Sequence, residues 1–176
     1  MRTLIISSLL LILTLSVSAQ QKNDRSDAFL EFSNEQYSLW HPKSWTIASH
    51  KFLNTDITDF STLKNENVGG FGASVRVVIQ PCNVKNPSLS DLGKEMEIVF
   101  TNMDDQIIES KLYSNAFPPY YFLKCRKRKD NVVLTTLHRL YLKNNVEYTV
   151  TFQVENDKAE ENLLLAEKIF QSFRIH

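Results

Sequence analysis

The chain has no excess of charge of either sign: across 176 residues, 20 lysines and arginines face 20 aspartates and glutamates. A protein so balanced projects no long-range field, which argues against nucleic acid or an anionic membrane surface as its partner. Cysteine is scarce too. Cys82 and Cys125 are the only two, so no disulfide framework props up the core and at most one bridge can form. The chain also has no internal repeat, no low-complexity tract and no composition shift that reads as an interdomain linker.

Catalytic and metal-binding patterns are missing as well. The four histidines, His41, His50, His138 and His176, include no pair at the i, i+4 spacing of a helical metal site, and no chain-local set of Cys and carboxylate ligands joins them. Gly69-Gly70-Phe71-Gly72 lacks the Lys-Ser/Thr of a phosphate loop and precedes a predicted strand, so it reads as a turn. Asp104-Asp105 and Glu160-Glu161 fall at predicted helix ends, where solvation and the helix dipole explain them. No catalytic residue, cofactor site or metal site is expected, and the chain reads as a non-enzyme.

A long apolar run occurs once. Arg2 precedes Leu4–Leu15, which only Ser and Thr interrupt, and Val17 and Ala19 then stand at the minus-three and minus-one positions of a cleavage site. This is the pattern of a signal peptide over 1–19, cut after Ala19. The run is shorter than the roughly 20 apolar residues of a spanning helix, though an uncleaved anchor is the alternative reading. No cysteine follows to carry a lipid. Cleavage would remove only Arg2 among charged groups, leaving 19 basic against 20 acidic residues and a net charge of −1. The expected protein is periplasmic or secreted, with no stable membrane insertion after cleavage. It has a polar flexible lead-in over 20–27 and one domain over 28–176, long enough to bury roughly two-thirds of its unfolded surface.

Periodicity predicts the elements. Phe29–Phe32 and Tyr37–Trp40 flank Ser33-Asn34-Glu35-Gln36 as a hairpin, with Pro42 ending the second strand. Trp45-Thr46-Ile47 resumes an extended pattern, and Ile57, Phe60 and Leu63 suggest a strand around 57–63 in an otherwise unassigned region over 50–67. Val75, Val77, Val78 and Ile79 make a strand before Pro81. Ser88, with Asp91 three residues on, or Ser90 can cap a helix whose Leu89, Leu92, Met96, Val99, Phe100 and Met103 recur every three or four residues. A strand over 106–113 follows, then a meander of Tyr120–Arg128, Val132–Leu142 and Val146–Val154, with turns at Asp130-Asn131 and Asn144-Asn145. A last helix over 158–172, capped by Asn156 or Asp157, carries the stripe Leu163, Ala166, Phe170 and Phe173, with Ile169 beside it.

Two segments resemble a known family. In Tyr37-Ser38-Leu39-Trp40-His41-Pro42-Lys43-Ser44-Trp45-Thr46-Ile47, an aromatic-aliphatic strand runs into Pro, two residues and Trp. Val146-Glu147-Tyr148-Thr149-Val150-Thr151-Phe152, with a helix ending Ile169-Phe170-Gln171-Ser172-Phe173-Arg174, is similar to the closing strand and helix of the same family. The family is PsbP/Mog1-like, with His41 standing where an aromatic usually precedes the proline. The resemblance implies an α+β fold, an antiparallel β-sheet flanked by helices as an α/β/α sandwich. It also implies partner binding more than chemistry, since such proteins include photosystem accessory subunits, small-GTPase binders and chaperones for secreted effectors.

Two sites remain open on the residues alone. Cys82 and Cys125 either form a bridge, which in the chain-entropy model could stabilise by about 4 kcal/mol, or pack as separate buried thiols. Lys124, Arg126 and Arg128 share a strand face with aromatic side chains, and with Tyr120 and Tyr121 they form a candidate surface for an anionic ligand or an acidic partner. The plainer alternative is a strand edge guarded by cations. The resulting expectation is an exported accessory or adaptor protein acting through protein contacts. A binding module for an anionic ligand and an immunity-type neutraliser of a secreted toxin are the alternatives.

Overall fold

Side-chain alternation decides the middle of the molecule. Over Val146–Glu155, Tyr148, Val150, Phe152 and Val154 are buried while the residues between them are half-buried, the period-two pattern of a strand with one strongly apolar face. The computed structural model describes residues 28–62, 72–129 and 131–176. The expected signal peptide over 1–19, the lead-in over 20–27, the Gly69-Gly70-Phe71 part of the expected turn and Asp130 lie outside the described residues.

Ten strands and two helices follow in order among the described residues. The first five strands are β1 (Phe29–Ser33), β2 (Tyr37–Pro42), β3 (Trp45–Phe52), β4 (Thr55–Thr62) and β5 (Ser74–Pro81). Helix α1 (Leu89–Asn102) comes next, then β6 (Gln106–Tyr113), β7 (Tyr120–Lys129), β8 (Val132–Lys143) and β9 (Val146–Glu155). A 3-10 turn (Asn156–Lys158), α2 (Ala159–Ser172) and β10 (Arg174–Ile175) close the chain. The large sheet has the order β3-β4-β5-β9-β8-β7-β6, and a small one has β1-β2-β10. Every pairing is antiparallel. The fold is therefore a mostly antiparallel sheet with two helices, as expected.

The register sorts residues into two faces. The row His50, Ile57, Val78, Thr149, Leu140 and Tyr121 runs across the sheet on one side, and Leu92 of α1 packs there against Tyr121, Leu140 and Cys82. The neighbouring row, Ile47, Phe60, Val75, Phe152, Leu137 and Lys124, points the other way. Ile169, Phe170 and Phe173, with Tyr37 and Leu39 of β2, join Phe60, Val75 and Phe152 in the larger cluster. Each fully buried side chain of this kind contributes roughly 1.5–3 kcal/mol of transfer free energy.

Local chemistry explains where the elements start and stop. Ser88 Oγ accepts the Asp91 backbone N–H at 3.1 Å and caps α1. Asn144 and Asn145 both take positive φ, as a tight hairpin turn between β8 and β9 requires. Over its described part, 50–62, the unassigned region resolves into the end of β3, a turn at Leu53-Asn54 and β4, and the expected strand position Leu63 lies outside the described residues. Three expectations need correction. Neither Asn156 nor Asp157 caps α2, because a 3-10 turn holds them. Asn156 Oδ1 instead accepts from Arg126 Nε and Thr135 Oγ1, each at 3.0 Å. Leu163 leaves the apolar stripe and is exposed, while Ala166, Ile169, Phe170 and Phe173 are buried. Arg174–Ile175 forms an unanticipated strand against Ser38 and Tyr37.

Candidate functional site

The expected cationic surface on β7 divides. Tyr120, Lys124, Arg126 and Arg128 share a face, but Tyr121 is an odd-numbered neighbour and points the opposite way. Tyr121 is only 7% exposed, and its hydroxyl donates to Glu97 of α1. Tyr120 stacks on Tyr113 with ring centroids 4.8 Å apart, and the Arg139 guanidinium lies 4.4 Å from its centroid. Tyr120 is therefore engaged in packing and leaves Lys124, Arg126 and Arg128 as the reachable part of the row. Arg126 and Arg128 are exposed and Lys124 is half-buried.

On the face of the sheet that α1 covers, Thr136 stands between a buried histidine and a buried thiol. His138 is buried, with its ring nitrogens 2.9 Å from Thr151 Oγ1 and 3.0 Å from Thr136 Oγ1, and Phe100 of α1 lies against its ring at 4.5 Å. Burial first, and the Lys127 charge second, push its pKa down to about 3, so the imidazole is neutral, with one nitrogen donating and the other accepting. Cys125 stands opposite Thr136 in the ladder. Burial, with the Asp105 carboxylate adding to it, pushes its thiol up to about 11. Burial also raises Asp105, whose Oδ2 has no hydrogen-bond partner among the described residues.

All three groups are driven toward their neutral forms. A thiolate nucleophile needs the opposite environment, electropositive and partly exposed. Cys82 is likewise buried, and burial is the main cause of its raised pKa. Cys82 and Cys125 are both free, so the structure holds two separate buried thiols. His41 is buried with its ring 5.4 Å from that of Phe60, His50 is exposed on β3, and His176 Nδ1 lies 2.9 Å from the Asn34 carbonyl oxygen. Among the described residues, no three His, Cys, Asp or Glu side chains are placed to hold a metal ion. No helix among them is long and apolar enough to cross a membrane.

A partly apolar cleft opens beside α1. It has a volume of about 620 Å³ and lies between the β3–β4 turn, the β5–α1 loop and α1, with Leu140 and Thr149 among the sheet residues lining it. Leu53 at 80% exposure, Val84 at 44% and Val99 at 54% stand on its walls. Among the described residues, Glu95 and Glu147 are the charged residues of the lining, and no lysine or arginine lines it. Sequence reasoning placed Val99 and Met103 on the inward stripe of α1, yet both are exposed. The signal was the width of that stripe. Six apolar residues exceed what the β6-β7-β8 end of the sheet can cover, so the surplus borders open space.

No protein-family model matches the chain, and no curated protein matches it. Solved structures do. Cyanobacterial PsbP from Synechocystis aligns over 85% of this chain and 94% of its own, with a TM-score of 0.64 and 18% identity. The Saccharomyces cerevisiae Ran-binding protein Mog1p aligns over 85% and 96%, with a TM-score of 0.58 and 9% identity. The fold is PsbP/Mog1-like. A Pseudomonas aeruginosa protein of unknown function is also similar, at a TM-score of 0.55 and 8% identity over 82% and 94% of the two chains. At such identities the PsbP/Mog1-like likeness speaks for chain path and not for shared residues or roles.

Proposed function

We propose that the chain is an exported accessory protein that works through protein contacts and carries out no chemistry of its own. The observation that carries this reading is a contrast on one face of the sheet. His138, Cys125 and Asp105, the groups best suited to chemistry, are buried and biased to neutral forms, while aliphatic side chains of α1 and the neighbouring loops stand open around a cleft. Exposed apolar surface rimmed by polar groups is what a protein partner covers. The layering belongs to the same reading: α1 on one side, α2 and the small sheet on the other, an α/β/α sandwich. So does a periplasmic or secreted location, which rests on the apolar run before Ala19. Mog1p is named for binding Ran, which supports partner binding on this fold by analogy alone.

Affinity capture from native envelope extract tests the proposal, with Val99→Glu as the matched control. A stoichiometric partner retained by the parent and lost by the variant is the expected result. Capture of nothing by a correctly folded parent would overturn it.

A second reading keeps the cations of β7. Lys124, Arg126 and Arg128 share a face, and this supports binding of an anionic ligand there. Replacing all three by glutamine would abolish retention on an immobilised polyanion under this reading. Unchanged retention would discard it.

A further inference from the structure

We propose that β3 is the seam along which two copies of this chain join, edge to edge, into a symmetric dimer with one continuous sheet. An edge strand presents unpaired backbone N–H and C=O groups, and proteins normally blunt such edges with bulges, charges, proline or very short length. The edges here differ in this respect. On β6 the ladder shifts between Ile107 and Glu109, and the exposed strand carries Glu109 and Lys111. In the small sheet, β1 has five residues including Glu31 and β10 only two. Among the described edges, β3 has the fewest of these defences. Its eight residues pair with β4 in unbroken register from Trp45 to Phe52. Seven of the eight are exposed, none is proline or acidic, and Lys51 is the single lysine or arginine.

The strand also suits itself as a partner. A twofold axis perpendicular to the sheet keeps each face on its own side, so residues of like parity must meet. With Ser49 on the axis, Thr46 lies opposite Phe52 of the second copy, Ile47 opposite Lys51, and Ala48 opposite His50. An aromatic opposite a β-branched residue is a favourable cross-strand pair. The alkyl stem of a lysine can cover an isoleucine while its ammonium stays wet. These pairs cover Phe52 and Ile47, which stand 67% and 42% exposed in the single chain, and symmetry makes each pair twice. No like charges meet, and Lys51 Nζ is already 3.3 Å from Asp56 Oδ1 of its own chain. A foreign strand would have to match this pattern by chance of its own sequence, whereas a second copy matches it by symmetry. Because β6 is blunted, pairing through β3 closes at two copies and does not run on into a filament.

Sedimentation equilibrium of the purified chain, from micromolar to near-millimolar concentration, tests the dimer. The expected result is a species of twice the chain mass. Ser49→Lys sets two cations face to face on the axis and should weaken association by about tenfold or more. Ile47→Glu puts a carboxylate opposite Lys51 of the second copy and should tighten association severalfold, a gain that misfolding cannot imitate. Ile108→Lys on β6 should change nothing. A chain that stays monomeric throughout, or a dimer indifferent to both β3 substitutions, would overturn the proposal. Neither outcome touches the partner reading, whose capture experiment stands apart.

Discussion

Arg139 of β8 reaches across to α2 and donates through Nη2 to Glu167 Oε2 at 2.8 Å, with its guanidinium between the rings of Tyr120 and Phe170, 4.4 and 4.7 Å from their centroids. The arginine side chain is largely buried while the carboxylate is about half-exposed. Stacking and burial therefore carry more of this contact than the ion pair does. Arg139→Met should cost about 1–3 kcal/mol in urea unfolding, and Arg139→Lys should recover little of it, because an ammonium cannot fill the slot between two rings. Glu167→Gln should cost less than about 1 kcal/mol.

Gly93 sets how closely α1 lies on the sheet. A Cβ there would overlap the ring of Tyr121, and Tyr121 is held in place by its bond to Glu97. Gly93→Ala should therefore destabilise by about 1–3 kcal/mol despite the better helix propensity of alanine. The double variant Gly93→Ala, Tyr121→Leu should recover part of that loss. Thermal unfolding of the three variants measures both effects.

Acid should act on the fold through His138. Its pKa is about 3 in the folded chain against an ordinary 6.5, so between these values the unfolded chain binds a proton that the folded one does not. The stability contributed by the neutral ring is complete above pH 6.5 and is lost as pH falls through that window, at about 1.4 kcal/mol per pH unit. Asp105 works in the opposite sense. Its raised pKa means that the protonated carboxyl favours the fold, and that contribution is lost as pH rises through the folded value. Urea titrations from pH 7 to pH 4 should show the histidine slope in the parent and a flatter profile in His138→Gln.

Both thiols should resist modification in the folded protein. Cys82 and Cys125 are free, buried and raised in pKa, so the thiolate fraction at neutral pH is small and access is poor. An aromatic disulfide reagent should label neither within minutes in buffer and both in urea. The intact mass should not change on reduction. A reductant-dependent mass would mean that the two residues are bridged.

How legible the fold was follows from the range of the signals. Val75, Val77 and Ile79 announce β5 because alternation is a property of neighbours in sequence, and Ser88 announces α1 because a cap acts within one turn. Asn156 was legible as polar and helix-proximal, yet its side chain went to Arg126 and Thr135, strand residues 30 and 21 positions away. The short strand Arg174–Ile175 exists because Tyr37 and Ser38 lie beside it in space, and two residues carry no period of their own. The candidate surface on β7 was half legible. Parity separates Tyr120 from Tyr121, but only the helix above Tyr121 shows which of the two is buried.

The order of residues by itself determined the strands of the meander, the position of α1, and the pairing of an apolar stripe with a polar back on each helix. These are short-range consequences of side-chain period, backbone sterics and capping. The third dimension decided the rest: which part of the α1 stripe is covered and which borders a cleft, which edge strand is least defended, and that His138, Thr136 and Cys125 are buried as neighbours. Burial is set by neighbours brought together through the sheet order β3-β4-β5-β9-β8-β7-β6. That order joins strands far apart in sequence, such as β5 and β9, which no local stretch of the chain encodes.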